Sequence, residues 1–207
     1  MKTTTKQKTL KLVQLALLVA LIFVMQYLGT VTTAAFKGIG VELSFVLVPI
    51  VIGAFLLGPI EGGILGFVFG VMTVVLTVIA PSSSMYIVFE SNPIVFSLLA
   101  ITKATLAGLG AGLIYRGLNK IFKGKRGYLS TLIASASAPI INTGIYLIGM
   151  SCFFSGVISE KFSGGENVFI FLVALIWLNF LIELGINVIL SPAVVRIVNA
   201  IDKWDSK

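Results

Sequence analysis

The sequence holds no histidine and a single cysteine, Cys152. One cysteine cannot close a disulfide within the chain, and a Cys/His zinc site has no ligand set. Catalysis that relies on a histidine base is excluded as well. Charge is sparse, at 11% of 207 residues. Soluble domains carry about 25% charged and about 45–50% apolar residues. Here 57% are hydrophobic, and the mean hydropathy is +1.08. Such a chain is an integral membrane protein, not a soluble domain, a disordered tail or a disulfide scaffold. The net charge of +7 comes from 15 basic and 8 acidic residues. In a soluble chain that excess would point towards nucleic acid. In a membrane chain the placement of the charges sets orientation instead, and no nucleic-acid partner is expected.

A bilayer core of roughly 30 Å needs about 20 apolar residues of helix. The first apolar run is Leu10–Thr30, preceded by Lys2, Lys6 and Lys8. A basic start before an apolar run resembles a signal peptide. The rest of the chain is equally apolar, so the run is expected to stay as a first span. Further runs cover Leu43–Leu57, Ile64–Ala80, Ile94–Leu118, Leu129–Phe154 and Val168–Val198. Gly58-Pro59-Ile60-Glu61-Gly62-Gly63 reads as a helix-breaking turn between the second and third. A membrane β-barrel would show alternating segments of about ten residues, and these runs are continuous and longer. The expected architecture is all-α: one transmembrane domain over residues 1–207, with six spanning helices.

Six spans put both termini on one side. That side holds Lys2, Lys6, Lys8, Lys11, Arg116, Lys120, Lys123, Lys125, Arg126, Arg196, Lys203 and Lys207. The other holds only Lys37 and Lys161, and Lys103 lies inside the fourth run. The positive-inside rule therefore predicts cytoplasmic termini. Residues 31–42, 81–93 and 155–167 then face outward, carrying Glu42, Glu90, Glu160 and Glu166.

Lipid supplies little hydrophobic drive for helix association, so small residues that let backbones approach mark packing faces. Gly62, Gly66 and Gly70 repeat every fourth position, as do Ala104, Gly108 and Gly112. Both rows are expected to serve internal packing. Ala16 and Ala20 in the first run form a similar pair. This pair packs internally or presents a docking face to a separate membrane subunit.

Ionisable groups inside spans are costly and mark cavities or partners. Lys103 and Glu183 are the two that lie well inside runs. Lys103 sits near the midplane, about 14 Å below the outer end of its run at 1.5 Å per residue. Glu183 counts as deeper, about 22 Å below the outer end of its own. Asn179, Glu183 and Asn187 form one stripe on the sixth run, while Asn142 and Tyr146 share a face of the fifth. Pro139 in the fifth run frees a carbonyl one turn earlier. Two readings stand for Lys103. It pairs with Glu183 and ties two helices, or its ammonium meets an anionic group of a bound solute. The asparagines either bond between helices or join the same solute site. The outer segment PSSSMYIVFESNP brings Tyr86, Phe89 and Glu90 beside a serine run. Its aromatics form an interfacial belt or the lid of a pocket. Phe36 and Lys37 form a second lid candidate.

These features resemble the substrate-binding S components of energy-coupling factor (ECF) transporters. The resemblance covers nearly the whole chain. It rests on the six short helices with both ends inside. It also rests on Ala16-Leu-Leu-Val-Ala20, similar to that family's docking motif. Leu47-Val-Pro-Ile-Val-Ile-Gly-Ala-Phe-Leu-Leu-Gly-Pro-Ile-Glu-Gly-Gly63 is similar to its second-to-third helix passage. Lys103-Ala-Thr-Leu-Ala-Gly-Leu-Gly-Ala-Gly112 and Asn187-Val-Ile-Leu-Ser-Pro192 add to the likeness. The resemblance implies a binding subunit in the plasma membrane of a prokaryote. It implies capture of a vitamin or precursor from outside, between the fourth to sixth helices and the outer loops. It implies docking through the first helix onto a transmembrane scaffold subunit, with two cytosolic ATPases driving release. The chain lacks a G-x-x-x-x-G-K-[ST] loop, in keeping with borrowed ATPases. Within that frame the expected solute-binding residues are Lys103, Asn142, Tyr146, Asn179, Tyr86, Phe89 and Glu90, and the docking residues are Ala16 and Ala20. A midplane lysine with asparagines suits a small hydroxylated carboxylate such as pantothenate. No cofactor and no metal is expected.

Two other classes compete with this reading. An autonomous secondary transporter of a small organic anion is the runner-up, although such folds show repeats or broken helices. A membrane enzyme using Lys103 and Glu183 as acid and base lacks a nucleophile motif and paired outer carboxylates.

Overall fold

The computed structural model describes residues 5–35, 45–79, 84–122, 127–164 and 167–205. Among these, helices account for almost every residue and no strand occurs. In chain order they are α1 (Thr5–Ala35), α2 (Leu47–Leu56), α3 (Pro59–Ile79), α4 (Ser84–Ser91), α5 (Pro93–Ile121), α6 (Gly127–Phe153) and α7 (Ser155–Ile158). A single π-helical turn (Ser159–Ser163) and the long α8 (Val168–Asp205) complete the described chain. Five of these helices are long and apolar enough to cross a membrane.

Among the described residues, the run Leu43–Leu57 supplies a helix shorter than a span needs. Only Leu47–Leu56 is helical, and ten residues rise about 15 Å, half of a bilayer core. Leu43 and Ser44 lie outside the described residues. Helix α2 is instead a core element. Leu47, Pro49, Ile50, Val51, Gly53, Ala54 and Phe55 are buried among α1, α3, α5, α6 and α8. Its hydropathy reflects burial in protein rather than contact with lipid.

The expected break at residues 58–63 is shorter than the sequence implied. Gly58 alone departs from helical geometry, with φ at +128°, where a side chain would be strained. Pro59 takes the first helical position, where its missing N–H costs nothing. Glu61 follows in the first turn, favourably placed for the helix dipole. Gly62 and Gly63 continue the helix and are buried.

The two small-residue rows meet in the α3–α5 seam. A Cβ added at Gly70 would lie 2.6 Å from the Ile101 Cα, and one at Gly112 would lie 2.6 Å from the Pro59 Cα. At Gly66 the obstacle is the Ala104 carbonyl, and at Gly108 it is the Gly62 carbonyl. This is the most extensive helix pairing in the molecule.

One end of the bundle is fixed by charge. Lys11 of α1 pairs with Glu61 of α3. A Cβ at Gly58 would meet an Arg116 guanidinium nitrogen at 2.6 Å and a Glu61 carboxylate oxygen at 2.8 Å. The start of α1, the α2–α3 turn and the end of α5 therefore share this end. Val194 of α8 joins Phe55, Ala111, Ala134 and Ala138 in a core cluster close by. Phe55 stacks on Tyr115 with ring centroids 4.2 Å apart. At the opposite end α4 packs against α3, α5 and α7, and α7 against α6. A second cluster gathers there: Val88, Phe96, Ala100, Met150, Phe154, Ile158 and Leu172.

Candidate functional site

Helix α5 opens on a strong cap. The Asn92 side chain accepts a hydrogen bond from the Val95 N–H at 3.2 Å, and Pro93 follows at the first helical position. This fixes the start of α5, so Lys103 falls ten residues below it, roughly 15 Å into the bundle. Helix α6 runs antiparallel beside it. A Cβ at Gly110 would meet the Ile141 Cδ1 at 2.6 Å, and Gly149 abuts Leu99. That register brings Lys103 to Tyr146. The ammonium lies 4.4 Å from the centroid of the tyrosine ring, a cation–π contact.

Tyr146 is engaged at its other end as well. Its hydroxyl donates to the Met85 Sδ of α4 at 3.2 Å. Helix α4 is thus tied to the same side chain that meets Lys103. Further outward, aromatic contacts run in a chain. Tyr86 lies 6.1 Å from Phe89, Phe89 meets Phe96 edge-on at 5.7 Å, and Phe96 meets Phe154 edge-on at 6.3 Å. Phe96 and Phe154 are buried, while Tyr86 and Phe89 are half-buried.

One turn inward from Tyr146, Asn142 is only 7% exposed, and its Oδ1 has no hydrogen-bond partner. Asn179 is half-buried on α8. Its sequence neighbours Trp177 and Phe180 line a groove with Ile140, Thr143 and Gly144 of α6, so this stretch of α8 runs beside the stretch of α6 that holds Asn142. Asn187 is buried, and its amide donates to the Glu183 carbonyl of its own helix at 2.9 Å. Its polar group therefore serves α8 itself rather than a neighbouring helix. Glu90 stands exposed on α4 and makes no ion pair among the described residues. Phe36 and Lys37 lie outside the described residues.

The structure therefore brings Lys103 to Tyr146, with Asn142 one turn inward of that tyrosine, and ties Tyr146 to α4, which carries Tyr86 and Phe89; Asn179 lies on α8, which packs on α6. The structure leaves Glu90 at the rim. Met85, Phe96 and Phe154 were missed in the sequence. Phe96 and Phe154 carried a signal, since each sits within four residues of a helix end beside outer-loop aromatics. Met85 carried none, because a thioether in an apolar segment looks like packing. Ala16 and Ala20 are both exposed, on a face of α1 that also bares Leu12, Val13, Leu17, Phe23, Val24 and Tyr27.

Two apolar grooves lie on the bundle, and none of the expected solute-binding residues lines either. One of about 220 Å³ lies between α6 and α8, lined by Leu147, Val173 and Trp177 among others. The other, about 200 Å³, lies between α1 and α3 around Phe23 and Phe67.

Fold and site together define a multi-pass, all-helical membrane protein with a cationic and amide layer beneath an aromatic outer cap. Residues 10–195 match the family model of the ECF transporter substrate-specific component. That match spans most of the chain, and the chain belongs to this family. No curated protein matches the sequence. Members of the family are transporter subunits that supply substrate specificity to an ECF complex.

Proposed function

We propose that this chain captures a small, hydroxylated carboxylate from outside the cell, with pantothenate as the first candidate. The observation that carries the reading is the Lys103 ammonium on the face of Tyr146, deep in the bundle and beneath α4. A buried ammonium is the group that would meet the carboxylate of such a solute. Asn142 offers an unpartnered buried carbonyl oxygen for a donor on the solute, and Asn179 lies on α8, which packs on α6. A solute with one carboxylate and several hydroxyl or amide groups suits that set. Tyr86 and Phe89 close over it, and Glu90 stands at the mouth.

The loaded chain then meets a membrane scaffold subunit through the face of α1 that bears Ala16 and Ala20. Two cytosolic ATPases drive delivery. The clustering of basic residues at the Lys11–Glu61 end supports placing that end, with both termini, in the cytoplasm of a prokaryotic cell.

Equilibrium binding of pantothenate to the purified chain, wild type against Lys103→Met, tests the reading. The expected loss is about 2–5 kcal/mol, typical of breaking a buried charged contact. Equal affinity in the two proteins removes Lys103 from the binding site.

A further inference from the structure

We infer that Met85 is a positioning residue: by accepting the Tyr146 hydroxyl, it makes the position of α4 control how accessible the Lys103 ammonium is. This deepens, and rests on, the reading of Lys103 as the solute's cationic contact. Two contacts converge on one side chain. The Tyr146 O–H donates to the Met85 Sδ at 3.2 Å, and the Tyr146 ring lies under the Lys103 ammonium at 4.4 Å. Tyrosine has only two side-chain torsions, so a ring held at its hydroxyl is held at its face too. Helix α4 has eight residues and is followed by the Asn92 cap, so it is a small unit, packed on α3, α5 and α7. Its other anchors include buried Val88, and Phe89 against Phe96. The hydroxyl–thioether bond is a directional tie between α4 and α6 in that set. When α4 lifts, the tie breaks, the ring is released, and the ammonium loses the surface that covers it. When α4 settles, the ring returns beneath the ammonium. The outer helix and the midplane cation thus share one element with two arrangements, which is what coupling between a lid and a site requires.

Hydrogen exchange of the α4 amides tests this in the solute-free protein in nanodiscs. Met85→Leu keeps the volume and removes the acceptor. Tyr146→Phe keeps the ring and removes the donor. Each is expected to speed α4 exchange about fivefold, the effect of one modest hydrogen bond on local opening. The double variant is expected to exchange no faster than either single one. Met85→Gln, which restores an acceptor of similar reach, is expected to return the rate towards wild type. Acylation of the Lys103 amine, read by peptide mass spectrometry, should quicken by a similar factor in Met85→Leu. Unchanged α4 exchange in either single variant overturns the inference, as does a double variant that multiplies the two effects. Faster α4 exchange with unchanged Lys103 acylation overturns the coupling, since α4 would then move without uncovering the cation. None of these measurements uses a solute. A failure here is therefore distinct from a failure of the pantothenate binding experiment.

Discussion

A lysine ammonium at the bilayer midplane costs about 2.5–3.5 kcal/mol on insertion scales, so its surroundings must compensate. Lys103 meets the Tyr146 ring, and at such a site a cation–π contact contributes about 2 kcal/mol when desolvated. The competing reading, a tie to Glu183, predicts a different pattern of mutants. If the solute is the anion, Lys103→Met weakens pantothenate binding and leaves the melting temperature of the empty protein near wild type. If Glu183 is the sole partner, Lys103→Met destabilises the empty protein by stranding a carboxylate, and adding Glu183→Gln restores both stability and binding. Affinity and melting temperature on the single and double variants separate the two. At the cap, Phe89→Ala removes the edge-on contact with Phe96 and Tyr86→Ala removes the outermost ring of the chain. Both are expected to speed pantothenate dissociation, since lost buried contacts act mainly on the off-rate. Unchanged off-rates in both would make the two rings an interfacial belt.

Among the elements, α1 and the α3–α5 seam differ most in how they are held. Helix α1 is scarcely buried along its apolar length and touches mainly α2 and α3. Its ion pair joins a Lys11 side chain 45% exposed to a Glu61 side chain 18% exposed. Partly exposed pairs contribute about 1 kcal/mol or less, so Glu61→Gln is expected to leave global stability almost unchanged. It should speed amide exchange in the first turns of α1, because the tie holds that end alone. Exchange equal to wild type there would show that apolar contacts hold α1 in place without it. The seam is the opposite case. Gly66→Leu drives a side chain into the Ala104 carbonyl, and backbone cannot yield as a flexible side chain can. Overpacking of this kind costs about 1–3 kcal/mol or more, read as a lower melting temperature. A Gly66→Leu protein as stable as wild type would mean that the seam opens freely.

These elements also show what the sequence could and could not disclose. The α3–α5 seam was legible because small residues at every fourth position have one geometric consequence, a shared helix face. The second run was legible as the shortest, but its place as a ten-residue core helix was not. Hydropathy reports that a segment avoids water, and a core helix avoids it as thoroughly as a lipid-crossing one does. Pro59 misled for a similar reason: proline breaks a helix from inside but starts one from its first turn. In the site, Lys103, Asn142 and Tyr146 stood out because polar groups within apolar runs are expensive. Met85 did not, because its role depends on which hydroxyl it meets. That contact joins residues 61 positions apart.

At the scale of the whole molecule, charge, apolar surface and site are distributed by direction. Basic residues gather at the Lys11–Glu61 end, the capped cation lies towards the other, and α1 bares a small-residue face along its side. A subunit that binds at one end and docks along one flank needs these features to be separable. Ala16→Trp with Ala20→Trp is therefore expected to abolish copurification with the scaffold and ATPase subunits while leaving pantothenate affinity intact. A double variant that still assembles would move the docking face elsewhere on the bundle. The most direct test of the central claim is native mass spectrometry of the chain purified from cells, wild type beside Lys103→Met. One small carboxylate-bearing molecule is expected bound to the wild type and absent from Lys103→Met. The same molecule retained by both proteins, or a bound molecule without an anionic group, would contradict it.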